Sequence, residues 1–282
     1  MNTTDYHADV PRRRLQREVF VILVLALLTA CSARTSISSE PSTPTAVPSP
    51  TTVSREDEPR FSRQREQMVV NTIKNRGVTD EDVLQAMEHV PRHEFVPEDQ
   101  QDAAYGDYPL PIGFGQTISQ PYIVAMMTEL LELEEGDRVL EVGTGSGYQA
   151  AVLAELAGVE VYTVEIIPEL AERAEETLES LGYTDVHCKQ GDGYYGWPEE
   201  APFDSIIVTA APDHVPRPLR EQLAVEGRMV IPIGPRGGYQ TLWQFVKQPD
   251  GELKAYNKGG VAFVPFTGKG LRGNEEGGGW PP

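Results

Sequence analysis

Arg138-Val-Leu-Glu-Val-Gly-Thr-Gly-Ser-Gly-Tyr148 is the stretch that decides the fold. A β-type apolar run ends in an acid, Glu141, and runs into three glycines at alternate positions, Gly143, Gly145 and Gly147. An alanine-rich helical segment, Gln149 to Leu156, follows at once. Glycines let backbone approach a ligand closely, and the free N–H groups of a helix start face it. Strand, glycine turn and helix N-terminus together therefore predict a nucleotide-cofactor site.

Two downstream segments extend the pattern. Val159-Glu-Val-Tyr-Thr-Val-Glu165 alternates like a strand and ends in an acid. A carboxylate at the end of the second strand of a doubly wound fold can accept from both hydroxyls of a ribose. Val186-His-Cys-Lys-Gln-Gly-Asp192-Gly193 reads as a third strand, and its Asp192 is placed to accept from an adenine amino group. Either acid alone could be a helix cap or turn residue; three such sites in order, each at a strand's C-terminal end, favour a cofactor. The spacing E-x-G-x-G-x-G departs from the dinucleotide fingerprint G-x-G-x-x-G. It resembles the first motif of the S-adenosylmethionine (SAM) dependent methyltransferases, which implies SAM as cofactor with Glu141, Gly143, Gly145, Gly147, Glu165, Asp192 and Gly193 around it.

Working outward, strands are predicted at 138–142, 159–165, 186–191, 204–209 and 228–233, with helices at 148–156, 168–181 and 216–224. This alternation implies an α/β fold: a doubly wound, mainly parallel, Rossmann-like sheet. Thr241–Gln248 and Val261–Val264 read as strands with no helix between them, an antiparallel C-terminal edge. Ahead of the sheet lies a helical extension. It comprises Phe61 to Arg76 stopped by Gly77, a short helix from Thr79 ended by Pro91, an irregular stretch over Val96–Ser119, and a helix over Gln120–Leu131.

The chain has 282 residues and a formal net charge of −19. That is enough for one sizeable domain plus extensions, and an acidic surface disfavours nucleic acid as a partner. Its two cysteines, Cys31 and Cys188, make neither a disulfide framework nor a zinc site, and its five histidines show no metal-ligand spacing, so no metal is expected. The N-terminus carries a basic flank, Arg12–Arg17, a short apolar run, Val19–Ala30, and then Leu28-Thr-Ala-Cys31. This resembles a bacterial lipoprotein signal. It implies lipidation at Cys31, anchoring to a membrane and location in the cell envelope. The domain expectation is a signal over 1–30, a Ser/Thr/Pro-rich tether over 31–60, a catalytic domain over 61–268 and a glycine-rich tail over 269–282.

Leu110-Pro-Ile-Gly-Phe-Gly-Gln-Thr-Ile-Ser-Gln-Pro-Tyr-Ile-Val-Ala125 makes the resemblance specific. Together with Gly191-Asp-Gly-Tyr, Val208-Thr-Ala-Ala and Phe263-Val-Pro-Phe-Thr-Gly268, it resembles the protein-L-isoaspartate O-methyltransferases over about residues 62–268. The resemblance implies methyl transfer from SAM to the carboxylate of L-isoaspartyl residues in damaged proteins and peptides. The ester then closes to a succinimide that reopens partly to aspartate. It also implies that Ser119 is catalytic and that Thr117 and Thr267 lie at the substrate. The family is ordinarily cytosolic, so cytoplasm is the alternative location.

The chemistry suits these residue types. A carboxylate is ionised at neutral pH and needs no strong base, so catalysis reduces to proximity and orientation. A hydroxyl can hold the carboxylate without taking its proton. The competing role for Thr117 and Ser119 is to cap the helix after Gln120. Tyr105, Tyr108 and Phe114 are candidates for lining a peptide cleft or for ordinary packing. Two alternatives stand beside the main reading. One is a SAM methyltransferase for another carboxylate or small molecule, which a substrate panel separates. The other is a non-catalytic binding lipoprotein on the same fold, which a labelled-methyl assay separates.

Overall fold

The computed structural model describes residues 59–235 and 237–273. The N-terminal layer opens with α1 (Pro59–Gln67), which passes into a π-helical turn over Met68–Ile73 and a 3-10 turn over Lys74–Arg76. Gly77 ends it in the left-handed region at φ 100°, where only glycine rests without strain. The helix expected over 61–76 thus exists but changes its winding midway. Next, α2 (Glu81–His89) is capped by Asp80, whose carboxylate accepts from the N–H groups of Asp82 and Val83. Pro91 keeps it from continuing.

The stretch expected to be irregular holds a hairpin, β1 (Leu110–Gly113) paired antiparallel with β2 (Gln116–Ile118). Each strand is too short to show a period of two, and Pro and Gly inside the run mask it. Then α3 (Pro121–Glu129) starts with proline at its first turn.

The sheet alternates as expected through β3 (Arg138–Val142), α4 (Tyr148–Ala154), β4 (Glu160–Glu165), α5 (Pro168–Ser180), β5 (His187–Gln190), β6 (Phe203–Val208), α6 (Arg217–Gln222) and β7 (Leu223–Ile233). The edge is completed by β8 (Gln240–Lys247) and β9 (Leu253–Val261), and α7 (Gly270–Gly273) follows. Strand order is β5-β4-β3-β6-β7-β8-β9; the first five pair in parallel and the last two antiparallel. The order reverses at β3, because β4 and β5 extend to one side and β6 and β7 to the other. In such sheets a ligand crevice opens at the strand C-termini beside the switch point. Along β3, Val139 packs on the α3–α4–α5 side and Leu140 and Val142 on the α6 side, as alternation on a sheet covered on both faces requires.

Several expectations need correction. The last strand is β9 at Leu253–Val261, not 261–264, and residues just beyond it contribute only an isolated bridge, Pro265 to Ala211. Leu253-Lys-Ala-Tyr-Asn-Lys-Gly-Gly-Val261 is an exposed edge whose lysines and glycines hide its alternation. The segment 223–224, read as helix, already belongs to β7. Cys188 sits half-buried on the edge strand β5, and burial pushes its thiol pKa up to about 12. The lipoprotein features, Arg12–Arg17, Val19–Ala30 and Cys31, lie outside the described residues, as does 274–282 of the glycine-rich tail. Among the described residues no helix is long and apolar enough to cross a membrane.

Candidate active site

A cleft of about 770 Å³, counting its open mouth, lies at the C-terminal ends of β3, β4 and β6. One wall is the glycine turn after β3 with Glu165 and Ile166 after β4. The facing wall is β2 with Ser119, and the segment Val264–Thr267 closes a third side.

The three glycines do different work. Gly143 has φ 102°, and a β-carbon on it would stand 2.4 Å from Thr209 Oγ1. The Thr209 hydroxyl donates to the Gly143 carbonyl at 2.6 Å, so β6 clamps the turn. Gly145 has φ 56° and donates its N–H to Glu165 Oε2 at 2.8 Å. Gly147, at φ 89°, begins α4 and does not line the cleft. A β-carbon there would meet Leu178 of α5 at 3.3 Å, which makes it the glycine of close helix packing.

Each acid stands in its own environment. Glu165 is 5% exposed; its second oxygen accepts from the N–H of Ile167 at 2.9 Å. Four lone-pair sites less these two donors leave it acceptor capacity on the cleft side. Glu141 is fully buried in the cleft wall. Its Oε2 accepts from the Thr163 hydroxyl at 2.5 Å, Thr163 is linked in turn to Thr144, and Oε1 has no hydrogen-bond partner among the described residues. Desolvation, opposed by the Thr163 hydrogen bond and reinforced by nearby Glu165, raises the Glu141 pKa to about 8. Asp192 is not part of the cleft lining, whereas its neighbour Gly193 is. The Asp192 carboxylate accepts from the N–H groups of Tyr194 and Gly270, both at 3.1 Å, and so ties the 3-10 turn after β5 to the C-terminal segment.

On the facing wall, Thr117 and Thr267 are exposed at the mouth and Ser119 is partly buried between β2 and α3. Neither Thr117 nor Ser119 caps α3. The N-cap residue is Gln120, and Asp107 performs the capping from outside the helix. Its carboxylate accepts from Tyr122 N at 3.2 Å, from the Gln120 side chain at 2.7 Å and from Arg76 at 2.6 Å. Thr267 is held by the backbone pairing of Phe266 and Val264 with Ala211, at 2.9 Å each. The hairpin is pinned against the cofactor wall by Ile112, packed beside Gly145, and by Arg173 of α5, which donates to the Ile112 carbonyl. Tyr105 is a packing residue, hydrogen-bonded to His93 and Arg65, while Tyr108 and Phe114 are exposed.

The sequence reading did not single out Thr209, Thr144 or Asp107. Thr209 had a signal, standing at the end of a predicted strand facing the crevice. Asp107 had none, since its partners are 13–31 residues away in the chain.

Comparison with known proteins places these features together. The family model described as protein-L-isoaspartate(D-aspartate) O-methyltransferase matches residues 63–271. The chain is 53% identical over 220 residues to protein-L-isoaspartate O-methyltransferase 2 of Shewanella sediminis, covering 78% of this chain and 89% of that one. It is 55% identical over 202 residues to the protein-L-isoaspartate O-methyltransferase of Gloeobacter violaceus, covering 71% and 97%. Among solved structures, a protein-L-isoaspartate O-methyltransferase superposes with TM-score 0.68 at 34% identity, covering 74% of this chain and 67% of that one. A putative protein-L-isoaspartate O-methyltransferase from Plasmodium falciparum, solved with S-adenosyl-L-homocysteine, superposes with TM-score 0.63 at 27% identity, covering 72% and 98%. The matched region begins at residue 63, and neither it nor the described structure supports a lipoprotein signal. The expected lipidation at Cys31, membrane anchor and envelope location are therefore withdrawn.

Proposed function

The chain belongs to the protein-L-isoaspartate(D-aspartate) O-methyltransferase family and is a SAM-dependent enzyme acting on L-isoaspartyl residues; from that premise we propose how its residues divide the work. The observation that carries the division is one cleft with two unlike walls. One wall is a glycine turn with buried carboxylates; the other is a hydroxyl-bearing strand end.

The cofactor wall fits SAM. Gly143 lets the turn close against Thr209 beside the cleft, and Glu141 Oε1 is a buried polar atom in the wall with no hydrogen-bond partner among the described residues. Glu165 keeps lone pairs for ribose hydroxyls, and Gly193, which lines the cleft, is placed to border the base. SAM supplies a methyl group bonded to a positively charged sulfur. The chain's own task is alignment. Ser119 donates its hydroxyl hydrogen to one carboxylate oxygen of the isoaspartyl side chain, leaving the other oxygen free to face the methyl group. Thr117 and Thr267 hold the peptide at the mouth. No residue must take a proton, because the acceptor is ionised at neutral pH. Placing two reactants in line accounts for catalysis of this kind.

The test of this division is Ser119→Ala. Turnover on an isoaspartyl peptide should fall at least tenfold, about one hydrogen bond to a charged group, while the SAM dissociation constant stays put. Because Asp107 and not Ser119 caps α3, Tm should hardly move. Unchanged turnover would remove Ser119 from the acceptor site.

A further inference from the structure

Phe114 stands at the tip of the β1–β2 hairpin, between Gly113 at φ 93° and Gly115 at φ 71°, and itself has φ 53°. Three consecutive residues in the left-handed region make a tight tip, and glycine or asparagine meets that demand without penalty. A phenylalanine there is strained, and it is left 55% exposed. Strain held at an exposed aromatic position calls for a use of the side chain outside the fold. The hairpin supplies the place. Its second strand, Gln116–Ile118, and then Ser119 form the substrate wall of the cleft, and the Gln116 side chain donates to the Phe114 carbonyl. The hairpin does not swing freely. Ile112 is buried against Gly145, and Arg173 holds the Ile112 carbonyl, so the tip has a fixed position relative to the glycine turn.

We propose that Phe114 is a specificity-determining residue that docks an apolar side chain of the substrate flanking the isoaspartyl residue. This rests on the reading that Ser119 holds the isoaspartyl carboxylate. From Phe114 to Ser119 is five residues, at most about 17 Å of extended chain. An extended peptide crosses that span in four to five residues. The ring therefore meets the flank of a substrate and not its reacting group. Its contribution enters KM and leaves the methyl-transfer step alone, since binding equal in ground and transition states does not raise kcat. The partner's chemistry follows from the ring: an apolar or aromatic side chain within an unfolded or loop segment, not a charged one.

The experiment compares two peptides on the full chain. One is a minimal three-residue isoaspartyl peptide; the other is a nine-residue peptide with leucine or phenylalanine four residues from the isoaspartyl position on either side. In the wild type the longer peptide should have the lower KM. Phe114→Ala and Phe114→Gly should raise KM for the long peptide about tenfold. They should leave its kcat, the short peptide's kinetics and SAM affinity as they were. Phe114→Trp should preserve the advantage of the long peptide. The glycine variant relieves the strained backbone, so its Tm should stay within a few degrees of the wild type, which excludes misfolding as the cause. The proposal is overturned if the long peptide keeps its wild-type KM in the glycine variant, or if the wild type shows no preference for the apolar flanks. A wild type that methylates neither peptide would instead overturn the reading of the site itself.

Discussion

Replacing Glu165 by glutamine changes one atom of a buried side chain and tests the cofactor wall from both directions. The carboxylate is 5% exposed and accepts two backbone hydrogen bonds, from Gly145 N at 2.8 Å and Ile167 N at 2.9 Å. An amide offers one acceptor oxygen and turns its NH₂ toward the other donor. One backbone N–H is then left unsatisfied in a buried place, at a cost of about 1–3 kcal/mol. For a domain of this size each kcal/mol lowers Tm by about 2–4 °C, so the ligand-free variant should melt roughly 2–12 °C below the wild type. The same substitution removes charge and half the acceptor capacity offered to the ribose. SAM affinity should drop by about ten- to a hundredfold. Thermal denaturation without ligand, followed by calorimetric titration with SAM, measures both effects on one preparation. An unchanged Tm would refute the role of Glu165 in holding the glycine turn. Unchanged affinity would refute its role at the ribose.

Other expectations follow from the same geometry. Asp107→Ala removes the external cap of α3 and should lower stability by about 1 kcal/mol. It should also cut turnover by loosening the Ser119–Gln120 turn while sparing SAM affinity, which separates it from a defect of the cofactor wall; melting curves and single-turnover rates check this. Glu141, with its pKa raised from 4.5 to about 8, binds its proton more tightly in the folded than in the unfolded chain. Its contribution to stability is therefore fully present below about pH 4.5 and is lost as pH rises through about 8. Denaturation of wild type and Glu141→Gln across pH 4–9 should show the variant gaining relative stability, up to a few kcal/mol, over that window. A constant difference would contradict the burial argument.

The parallel sheet was legible because β3, β4 and β6 are short strand-like runs alternating with helical segments, each ending where the crevice opens. The place of Glu165 in the cleft wall was legible for the same reason, since it stands at a strand end. The hairpin β1–β2 was not, because strands of four and three residues with internal Pro and Gly leave no periodic signal. Edge strand β9 escaped because an exposed edge is chosen for solubility, so its lysines and glycines resemble a loop. Gly147 was assigned to the cofactor with its two partners, but spacing alone cannot separate a glycine that makes room for a ligand from one that makes room for Leu178. Asp107 was invisible because its role depends on three groups brought together only by folding.

The central claim is that one cleft aligns SAM with the side-chain carboxylate of an isoaspartyl residue. It is tested most directly by transfer of labelled methyl groups to two peptides identical except for one linkage, L-isoaspartyl in one and L-aspartyl in the other. The isomers place carboxylate and backbone differently, so a site aligned for one misaligns the other. The account predicts base-labile label on the isoaspartyl peptide and transfer at least a hundredfold slower to the aspartyl peptide. Equal rates on both peptides, or label on neither, would contradict it.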